Sequence, residues 1–339
     1  MRSSAYVKTP AAQVGMRGQI LPGVPVDQLA LPLDPAKFRD PFVTARGEER
    51  AQVRLRALET LWFNTGTLCN LTCRNCYIES SPRNDQLTYL TRDEVREYLD
   101  EAAREKLPLK LVGFTGGEPF MNPHITGMLE EVMARGLNAL VLTNAMKPMF
   151  RLRTALLALK ERFSAQLSIR VSLDHYDRAV HEAERGQRSW SPALEGLIWL
   201  ARNGFGIAVA GRRFSGEPEP TLREGYARLF GEHAIPVDAF DPVRLTLFPE
   251  MDATQDAPEI TTACWGILNK SPDDVMCASA RMVVRRTGAP SPTVLACTLL
   301  AYDPRFELGR TLKEASRAVS LNHPFCASFC VLGGAACSR

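Results

Sequence analysis

The chain has 339 residues, of which 45% are hydrophobic and 23% are charged, a composition typical of a globular protein with a sizeable core. Its 41 basic and 38 acidic residues leave a net charge of +3 without a long run of one sign, so the charge gives no reason to expect a nucleic-acid or membrane partner. No apolar run approaches the roughly 20 residues that cross a bilayer, and no signal segment opens the chain. We therefore interpret the nine cysteines as metal ligands of a cytoplasmic protein.

Residues 1–55 are predicted to form an extended N-terminal arm. Six prolines fall within the first 50 positions, and no hydrophobic period is sustained there. The arm is too short to contain a catalytic domain.

Residues 56–250 alternate apolar, strand-like runs with amphipathic helical stretches. Strands are expected near positions 60–64, 109–114, 139–142, 167–171, 206–211 and 243–248. Such alternation predicts parallel βαβ units, and the polar residues that follow several of the strands are placed where parallel barrels gather their functional groups. The fold class predicted from this pattern is α/β, with a partial (β/α)6 barrel of the TIM type.

Three cysteines at spacings of four and three residues, Cys69, Cys73 and Cys76, follow the first predicted strand. Structural zinc usually takes four ligands as two separated cysteine pairs, whereas three thiolates on a cubane cluster leave one iron open. This C-x3-C-x2-C sequence resembles the signature of the radical S-adenosylmethionine (SAM) enzymes. The resemblance implies a [4Fe-4S] cluster whose open iron binds SAM and, once reduced, cleaves it to methionine and a 5′-deoxyadenosyl radical. A three-cysteine zinc or adventitious metal site is the alternative.

The second predicted strand leads into Gly116, Gly117 and Glu118. Two glycines allow the backbone to approach a ligand closely. With the proline that follows, these residues resemble the GGEP motif of radical SAM enzymes, in which the Glu holds the amino group of SAM. The resemblance implies that all three residues contribute to SAM binding, whereas an isolated Gly-Gly-Glu-Pro would equally form an ordinary turn.

Polar residues also end the next two predicted strands. Asn144 follows the third strand and Ser172 the fourth, and Arg185 lies further along the chain. In the family a strand-end Thr-Asn lies near SAM, and a Ser with a downstream Arg contacts the SAM carboxylate or ribose. The resemblance implies these roles for the three residues, and an arginine fork suits a carboxylate. An Asx turn at Asn144 and a brace made by Asp174 and His181 are the structural alternatives.

The chain departs from the family pattern in two places. The position before the third cysteine is often aromatic in the family and is Asn75 here, with Tyr77 just after the cysteine. Residues 1–55 are also too short for the winged-helix peptide-recognition module that some peptide-modifying members carry. Any reader of a leader peptide is therefore expected to be a separate chain.

The remaining cysteines lie in residues 251–339, at Cys264, Cys277, Cys297, Cys326, Cys330 and Cys337. A β-hairpin is predicted between Cys277 and Cys297, and a helix near residues 312–319. This arrangement resembles the twitch half of the SPASM domain, an auxiliary-cluster module of many radical SAM enzymes. The resemblance implies that Cys277, Cys297, Cys326 and Cys330 hold a second [4Fe-4S] cluster, with Cys264 and Cys337 spare. The alternatives for these two are that one replaces a member of the quartet, that the cluster keeps an open iron for substrate, or that they are buried thiols. A four-thiolate zinc ribbon is the alternative.

The resemblance thus implies a radical SAM enzyme that takes electrons from an external donor such as a flavodoxin or ferredoxin. The residues do not choose between a small-molecule substrate and a peptide or protein side chain, and no catalytic acid is identified. The alternative is an iron–sulfur protein for electron transfer or cofactor assembly. An electron carrier would not need a SAM site.

Overall fold

Residues 31–213 and 216–334 are described here from a computed structural model of the chain. The strands are β1 (Gln52–Val53), β2 (Thr60–Asn64), β3 (Leu111–Thr115), β4 (Asn138–Thr143), β5 (Leu167–Ser172), β6 (Gly206–Arg213), β7 (Leu245–Pro249), β8 (Ala280–Val284), β9 (Thr293–Leu295), β10 (Glu307–Gly309) and β11 (Val319–Ser320). The α-helices are α1 (Arg92–Arg104), α2 (Ile125–Ala134), α3 (Lys147–Arg151), α4 (Arg153–Phe163), α5 (Arg178–Arg185), α6 (Trp190–Arg202), α7 (Glu219–Glu232) and α8 (Cys264–Ile267). A π-helical turn covers Cys326–Val331.

The central sheet contains β2 to β7, which lie side by side in chain order and run parallel. On the other edge of β2, strand β8 adds a further parallel strand, and β9 and β10 follow it in antiparallel pairing. The resulting order is β10-β9-β8-β2-β3-β4-β5-β6-β7. The predicted partial (β/α)6 barrel is confirmed, and its sheet continues into the C-terminal region.

The first helix shows how the local sequence sets the element boundaries. Thr91 caps α1, because its hydroxyl accepts a hydrogen bond from the Glu94 amide while the Glu94 carboxylate accepts one from the Thr91 amide. Val95, Leu99 and Ala102 recur at helical spacing and are buried against the sheet. Strand β2, which is buried at all five positions, lies at the centre of that core. No described helix is both long and apolar enough to span a membrane.

The C-terminal region contains the predicted hairpin, formed by β8 and β9. The predicted helix at 312–319 is wrong, since the structure has a 3-10 turn at Glu314–Ser316 and then strand β11. The Glu314 carboxylate accepts hydrogen bonds from the amides of Arg310 and Thr311, and this closes a local turn in place of a longer helix. The division of the chain at residue 250 stays a prediction.

The described part of the predicted N-terminal arm is attached to the C-terminal half. Strand β1 pairs with β11, and isolated bridges join Pro32 to Gln255 and Arg50 to Thr261. Arg50 is fully buried and forms an ion pair with Glu259. Residues 1–30, which make up the rest of the predicted arm, lie outside the described residues.

Candidate functional site

The loop after β2 brings Cys69, Cys73 and Cys76 to one pocket at the carboxyl ends of the parallel strands. A bridge between Leu68 and Ser81 closes the base of this loop. The three thiols are close enough for their charges to interact. Their convergence on the pocket fits a cluster that takes one thiolate on each of three irons.

Backbone amides are directed at two of these sulfurs. The Leu71 amide donates to Cys69 Sγ over 3.4 Å, and the Ser80 amide donates to Cys76 Sγ over 3.3 Å. Burial raises the pKa of the Cys69 thiol to about 12, so ionisation of this thiol depends on a metal that binds the thiolate. Amide donors of this kind stabilise sulfurs that carry negative charge, as cluster ligands do.

Gly116 and Gly117 allow the end of β3 to pack directly against the cysteine loop. A Cβ atom at Gly117 would lie 2.2 Å from the Leu68 carbonyl oxygen, and one at Gly116 would lie 2.5 Å from the Gly66 oxygen. Gly116 also has a φ of +134°, in a region that favours glycine. Both glycines line the pocket, so any side chain here would displace the backbone of the cysteine loop.

Glu118 lies behind the pocket wall, with 1% of its surface exposed. One carboxylate oxygen accepts from the Thr143 hydroxyl and the Phe120 amide, and the other accepts from the Asn144 amide over 2.9 Å. Burial raises the pKa of Glu118 to about 7, although these three hydrogen bonds favour the ionised form. The structure therefore links Glu118 to the end of β4, where Asn144 lines the pocket.

Arg185 and Asp174 form a buried ion pair at the pocket. Arg185 Nε and Nη2 donate to the two oxygens of Asp174 over 2.8 and 3.0 Å. Burial alone would raise the pKa of Asp174, but the charge and hydrogen bonds of Arg185 hold it below its ordinary value. Both residues line the pocket together with Ser172, so the predicted contact residues after β5 are brought together there.

The carboxyl end of α5 also contacts the cysteine loop. The Arg74 amide donates to the carbonyl oxygen of Glu184 over 2.8 Å, and Asn75 Nδ2 donates to the Glu184 carboxylate over 3.0 Å. The Asn75 carbonyl oxygen accepts from Arg212 Nη1. Asn75, where the family often has an aromatic residue, therefore joins the cysteine loop to α5 and β6.

His181 lies within the fold and not at the pocket. Its side chain is fully buried, and neither ring nitrogen has a hydrogen-bond partner among the described residues. The ring packs edge-on against Trp190, with ring centroids 5.3 Å apart. Burial and the nearby Arg185 lower its pKa to about 4, so the ring is neutral. Asp174 and His181 were considered from the sequence as structural supports of this loop. Asp174 contacts Arg185 directly, and His181 contributes packing.

One side of the pocket is apolar and was not predicted from the sequence. We call it the apolar wall, and it consists of Phe248, Pro249, Met251, Leu299 and Phe329. Phe248 and Phe329 stack with ring centroids 5.4 Å apart. Leu299 and Phe329 come from the cysteine-rich C-terminal region, and Phe329 directly precedes Cys330 in the chain. This region therefore forms part of the pocket that Cys69, Cys73 and Cys76 line.

Three of the predicted auxiliary ligands lie near one another. Burial raises the pKa of Cys326 well above its ordinary value, and the thiols of Cys297 and Cys277 add to that shift through their charges. Cys330 lies one turn beyond Cys326 in the π-helical turn. Cys264 has a local hydrogen-bond partner, since its sulfur accepts from the Thr261 amide. Cys337 lies outside the described residues.

The eight described cysteines are not joined in disulfides. Within residues 31–213 and 216–334, no three His, Cys, Asp or Glu side chains converge closely enough to hold a single metal ion. A cubane places each thiolate on a separate iron, so its ligands do not meet at one point. The donor set at the pocket fits three irons of a cubane, with Arg185, Ser172 and Asn144 available to polar groups of a ligand.

The comparison of sequences identifies a family for the central part of the chain. Residues 63–220 match the profile of the radical SAM superfamily. The antilisterial bacteriocin subtilosin biosynthesis protein AlbA of Bacillus subtilis is 27% identical over 169 residues, which cover 50% of this chain and 35% of AlbA. The mycofactocin maturase MftC of Mycobacterium tuberculosis is 28% identical over 143 residues, covering 42% of this chain and 34% of MftC. The chain thus spans about a third of the length of these curated relatives.

Solved structures show the same fold. SuiB of Streptococcus suis, in its structure bound to S-adenosylmethionine, aligns with a TM-score of 0.55 at 12% identity and covers 75% of this chain and 63% of SuiB. The protein anSMEcpe with bound AdoMet aligns with a TM-score of 0.54 at 14% identity, covering 76% of this chain and 79% of that one. At these identities the likeness concerns the fold alone.

Proposed function

We propose that the chain is a radical SAM enzyme, which cleaves SAM reductively and uses the resulting 5′-deoxyadenosyl radical to abstract hydrogen from a substrate; the match of residues 63–220 to the superfamily profile supports this. The single observation that supports this most directly is the pocket. Cys69, Cys73 and Cys76 line it together with the glycines of the Gly-Gly-Glu motif and with Arg185. An electron carrier would not require these additional polar groups beside its cluster.

Each group is assigned one task. The three cysteines hold the [4Fe-4S] cluster through three irons. Arg185 has donors beyond the two that Asp174 occupies, and a guanidinium suits the carboxylate of SAM. Ser172 and Asn144 supply further hydrogen-bonding groups at the ends of β5 and β4. Glu118 is assigned to the place of the SAM amino group, where its buried carboxylate holds Asn144 by accepting from the Asn144 amide. Gly116 and Gly117 keep the backbone close to the cluster loop.

The C-terminal cysteines are assigned to an auxiliary [4Fe-4S] cluster. Cys277, Cys297 and Cys326 interact electrostatically, and Cys330 follows one turn later. The neighbouring Phe329 lines the pocket, so this cluster would lie close enough to the substrate to receive an electron from it. An external donor such as a flavodoxin or ferredoxin supplies the one electron that cleaves each SAM. The substrate radical gives one electron to the auxiliary cluster and a proton to water, and the cluster passes that electron to an external acceptor, which can be the oxidised donor.

The substrate is proposed to be a peptide or a small molecule. AlbA and MftC are named for bacteriocin biosynthesis and for mycofactocin maturation, and both match the central part of this chain. Their names favour a peptide. We place the reaction in the cytoplasm, because a reducing compartment keeps thiols available for clusters.

The test of the proposed function is the anaerobic incubation of reconstituted, reduced protein with SAM alone. We expect slow formation of 5′-deoxyadenosine and methionine in equal amounts, measured by liquid chromatography and mass spectrometry. The absence of both products, from protein that carries its clusters, would contradict the proposal and favour an electron-transfer role.

Cys297→Ala is expected to remove the auxiliary cluster and to spare the SAM site. The variant should lose about four irons per chain and retain slow, substrate-free conversion of SAM to 5′-deoxyadenosine, because the three cysteines of the β2 loop are untouched. Iron analysis and product quantitation check this. If cleavage falls together with the iron content to the level of a protein without the SAM-site cluster, the assignment of two separate clusters is wrong.

SAM affinity is expected to rise as the pH is raised through about 7, because Glu118 ionises in that range and a carboxylate accepts hydrogen bonds that the neutral acid group cannot accept. Glu118→Gln should bind SAM with a weaker dependence on pH. Anaerobic equilibrium dialysis of both proteins, between about pH 6 and about pH 8, isolates this effect from titration of SAM itself. If SAM affinity depends on pH equally in the two proteins, ionisation of Glu118 does not contribute to SAM binding.

A further inference from the structure

We propose that the part of the substrate that reacts in the pocket is uncharged and apolar: an aliphatic or aromatic side chain, or an alkyl group. This inference rests on the proposed function, and it deepens that function by naming a substrate class. It is carried by the distribution of polar and apolar groups around the pocket.

The charged side chains that line the pocket are Asp174, Arg185 and Arg212. Arg185 and Asp174 occupy one another as an ion pair with two hydrogen bonds. Arg212 donates to the Asn75 carbonyl oxygen and lies 3.7 Å from Glu184. All three lie after β5 or on the end of β6, beside the cysteine loop, and therefore belong to the polar part of the pocket that we assign to SAM.

The apolar wall lies on other elements. Phe248 and Pro249 end β7, Met251 follows them, and Leu299 and Phe329 come from the C-terminal region. Leu299 has 4% and Phe329 has 1% of its surface exposed, so both are held by the packing around them. The side chains of the wall offer only carbon and one thioether sulfur, which is a weak hydrogen-bond acceptor.

A charged substrate group held against this wall would lose its water without gaining a partner, and such burial is strongly unfavourable. An apolar group would instead remove its own surface and that of Phe248 from water, which is favourable. The stacked pair of Phe248 and Phe329 also presents aromatic surface for an aliphatic or aromatic group. The wall therefore selects an apolar group for this part of the pocket.

One electron from dithionite breaks the C–S bond of SAM and gives methionine and the 5′-carbon radical, which takes a hydrogen atom from a C–H bond of the substrate. The carbon radical of the substrate then takes a second electron from dithionite and a proton from water. With a deuterated substrate side chain, one deuterium appears in 5′-deoxyadenosine.

Binding is tested first, without reductant, on reconstituted protein saturated with SAM. The probes are N-acetyl-L-leucinamide, which is neutral and apolar, and the α-amide of N-acetyl-L-glutamic acid, which carries a carboxylate. Saturation-transfer NMR is expected to show about tenfold more transfer to the leucine probe. Equal transfer, or more transfer to the glutamate probe, would overturn the proposal.

Phe248→Lys places a charge on the wall at a half-buried position, and Phe248→Leu is the matched apolar control. Phe248→Lys is expected to reduce saturation transfer to N-acetyl-L-leucinamide at least about fivefold, whereas Phe248→Leu keeps the transfer seen with the wild-type protein. Equilibrium dialysis should show that SAM affinity changes by less than about twofold in both. If Phe248→Lys also loses affinity for SAM, the apolar wall binds SAM and not the substrate. If saturation transfer to N-acetyl-L-leucinamide is unchanged in Phe248→Lys, the wall does not contact the probe. Either result overturns the proposal.

Reduced wild-type protein is then supplied with the leucine probe deuterated in its side chain. We expect deuterium in 5′-deoxyadenosine, and transfer from a deuterated glutamate probe at least about tenfold lower. Formation of 5′-deoxyadenosine without deuterium from the leucine probe would overturn the substrate class. A protein that forms no 5′-deoxyadenosine would contradict the proposed function, whereas the binding experiment would still decide the nature of the wall.

Discussion

Cys73→Ala is expected to abolish SAM cleavage, with loss of the iron of one cluster. Cys73 lines the pocket with Cys69 and Cys76, and a cubane that has lost one of three protein thiolates is no longer held at its site. Burial raises the pKa of the Cys73 thiol, so this side chain stays a neutral thiol unless a metal displaces its proton. The measurement is the amount of 5′-deoxyadenosine formed anaerobically, together with iron per chain.

The matched control is Cys264→Ala, which also removes one half-buried thiol. The described hydrogen bonds of the Cys264 sulfur are with Thr261, and Cys264 lies outside both proposed sets of ligands. This variant should keep both its iron and its cleavage rate. Cleavage by Cys73→Ala at a rate near that of Cys264→Ala would show that SAM is not cleaved at a cluster held by Cys73.

Asp174→Ala is expected to reduce the free energy of unfolding by about 3–5 kcal/mol, because it leaves the guanidinium of Arg185 buried without its charged partner. Side-chain exposure is 14% for Arg185 and 5% for Asp174, so water does not replace the lost carboxylate. The measurement is the urea midpoint of the anaerobic, cluster-loaded protein, followed by far-ultraviolet circular dichroism.

Two further variants show whether this loss comes from the unpaired charge. Asp177 caps the same helix, α5, through a hydrogen bond from the Val180 amide, and Asp177→Ala should cost only about 1 kcal/mol. The double variant Asp174→Ala/Arg185→Met removes both charges and should recover part of the loss. A cost for Asp174→Ala no greater than that for Asp177→Ala would show that the ion pair does not stabilise the fold.

The barrel was predictable because its strands are apolar runs that alternate with capped, amphipathic helices. The capping box at Thr91 and the buried run of β2 are examples in which the local sequence alone specifies the element. The pairing of β8 with β2 was not predictable, since it joins segments more than 200 positions apart and local patterns carry no register for distant strands. The turn at Glu314–Ser316 was mistaken for part of a helix because side-chain bonds to the backbone outweighed helical spacing.

The polar part of the site follows from motifs at strand ends, and the structure brings Asn144, Ser172 and Arg185 to one pocket. Two features lie beyond such motifs. Glu118 is turned toward the end of β4, because its carboxylate is surrounded by donors from Thr143 and Asn144. Phe329 reaches the pocket through packing of the C-terminal region. The local sequence, a single phenylalanine beside a cysteine, does not predict that it lines the pocket.

We infer that the chain holds two clusters and that SAM binds only one of them. Anaerobic quantitation of iron and sulfide after reconstitution, with paramagnetic resonance of the reduced protein before and after SAM is added, tests it most directly. We predict about eight irons per chain and two signals, of which one shifts when SAM binds. About four irons with bound zinc would contradict the auxiliary cluster, and spectra that SAM leaves unchanged would contradict the SAM site itself.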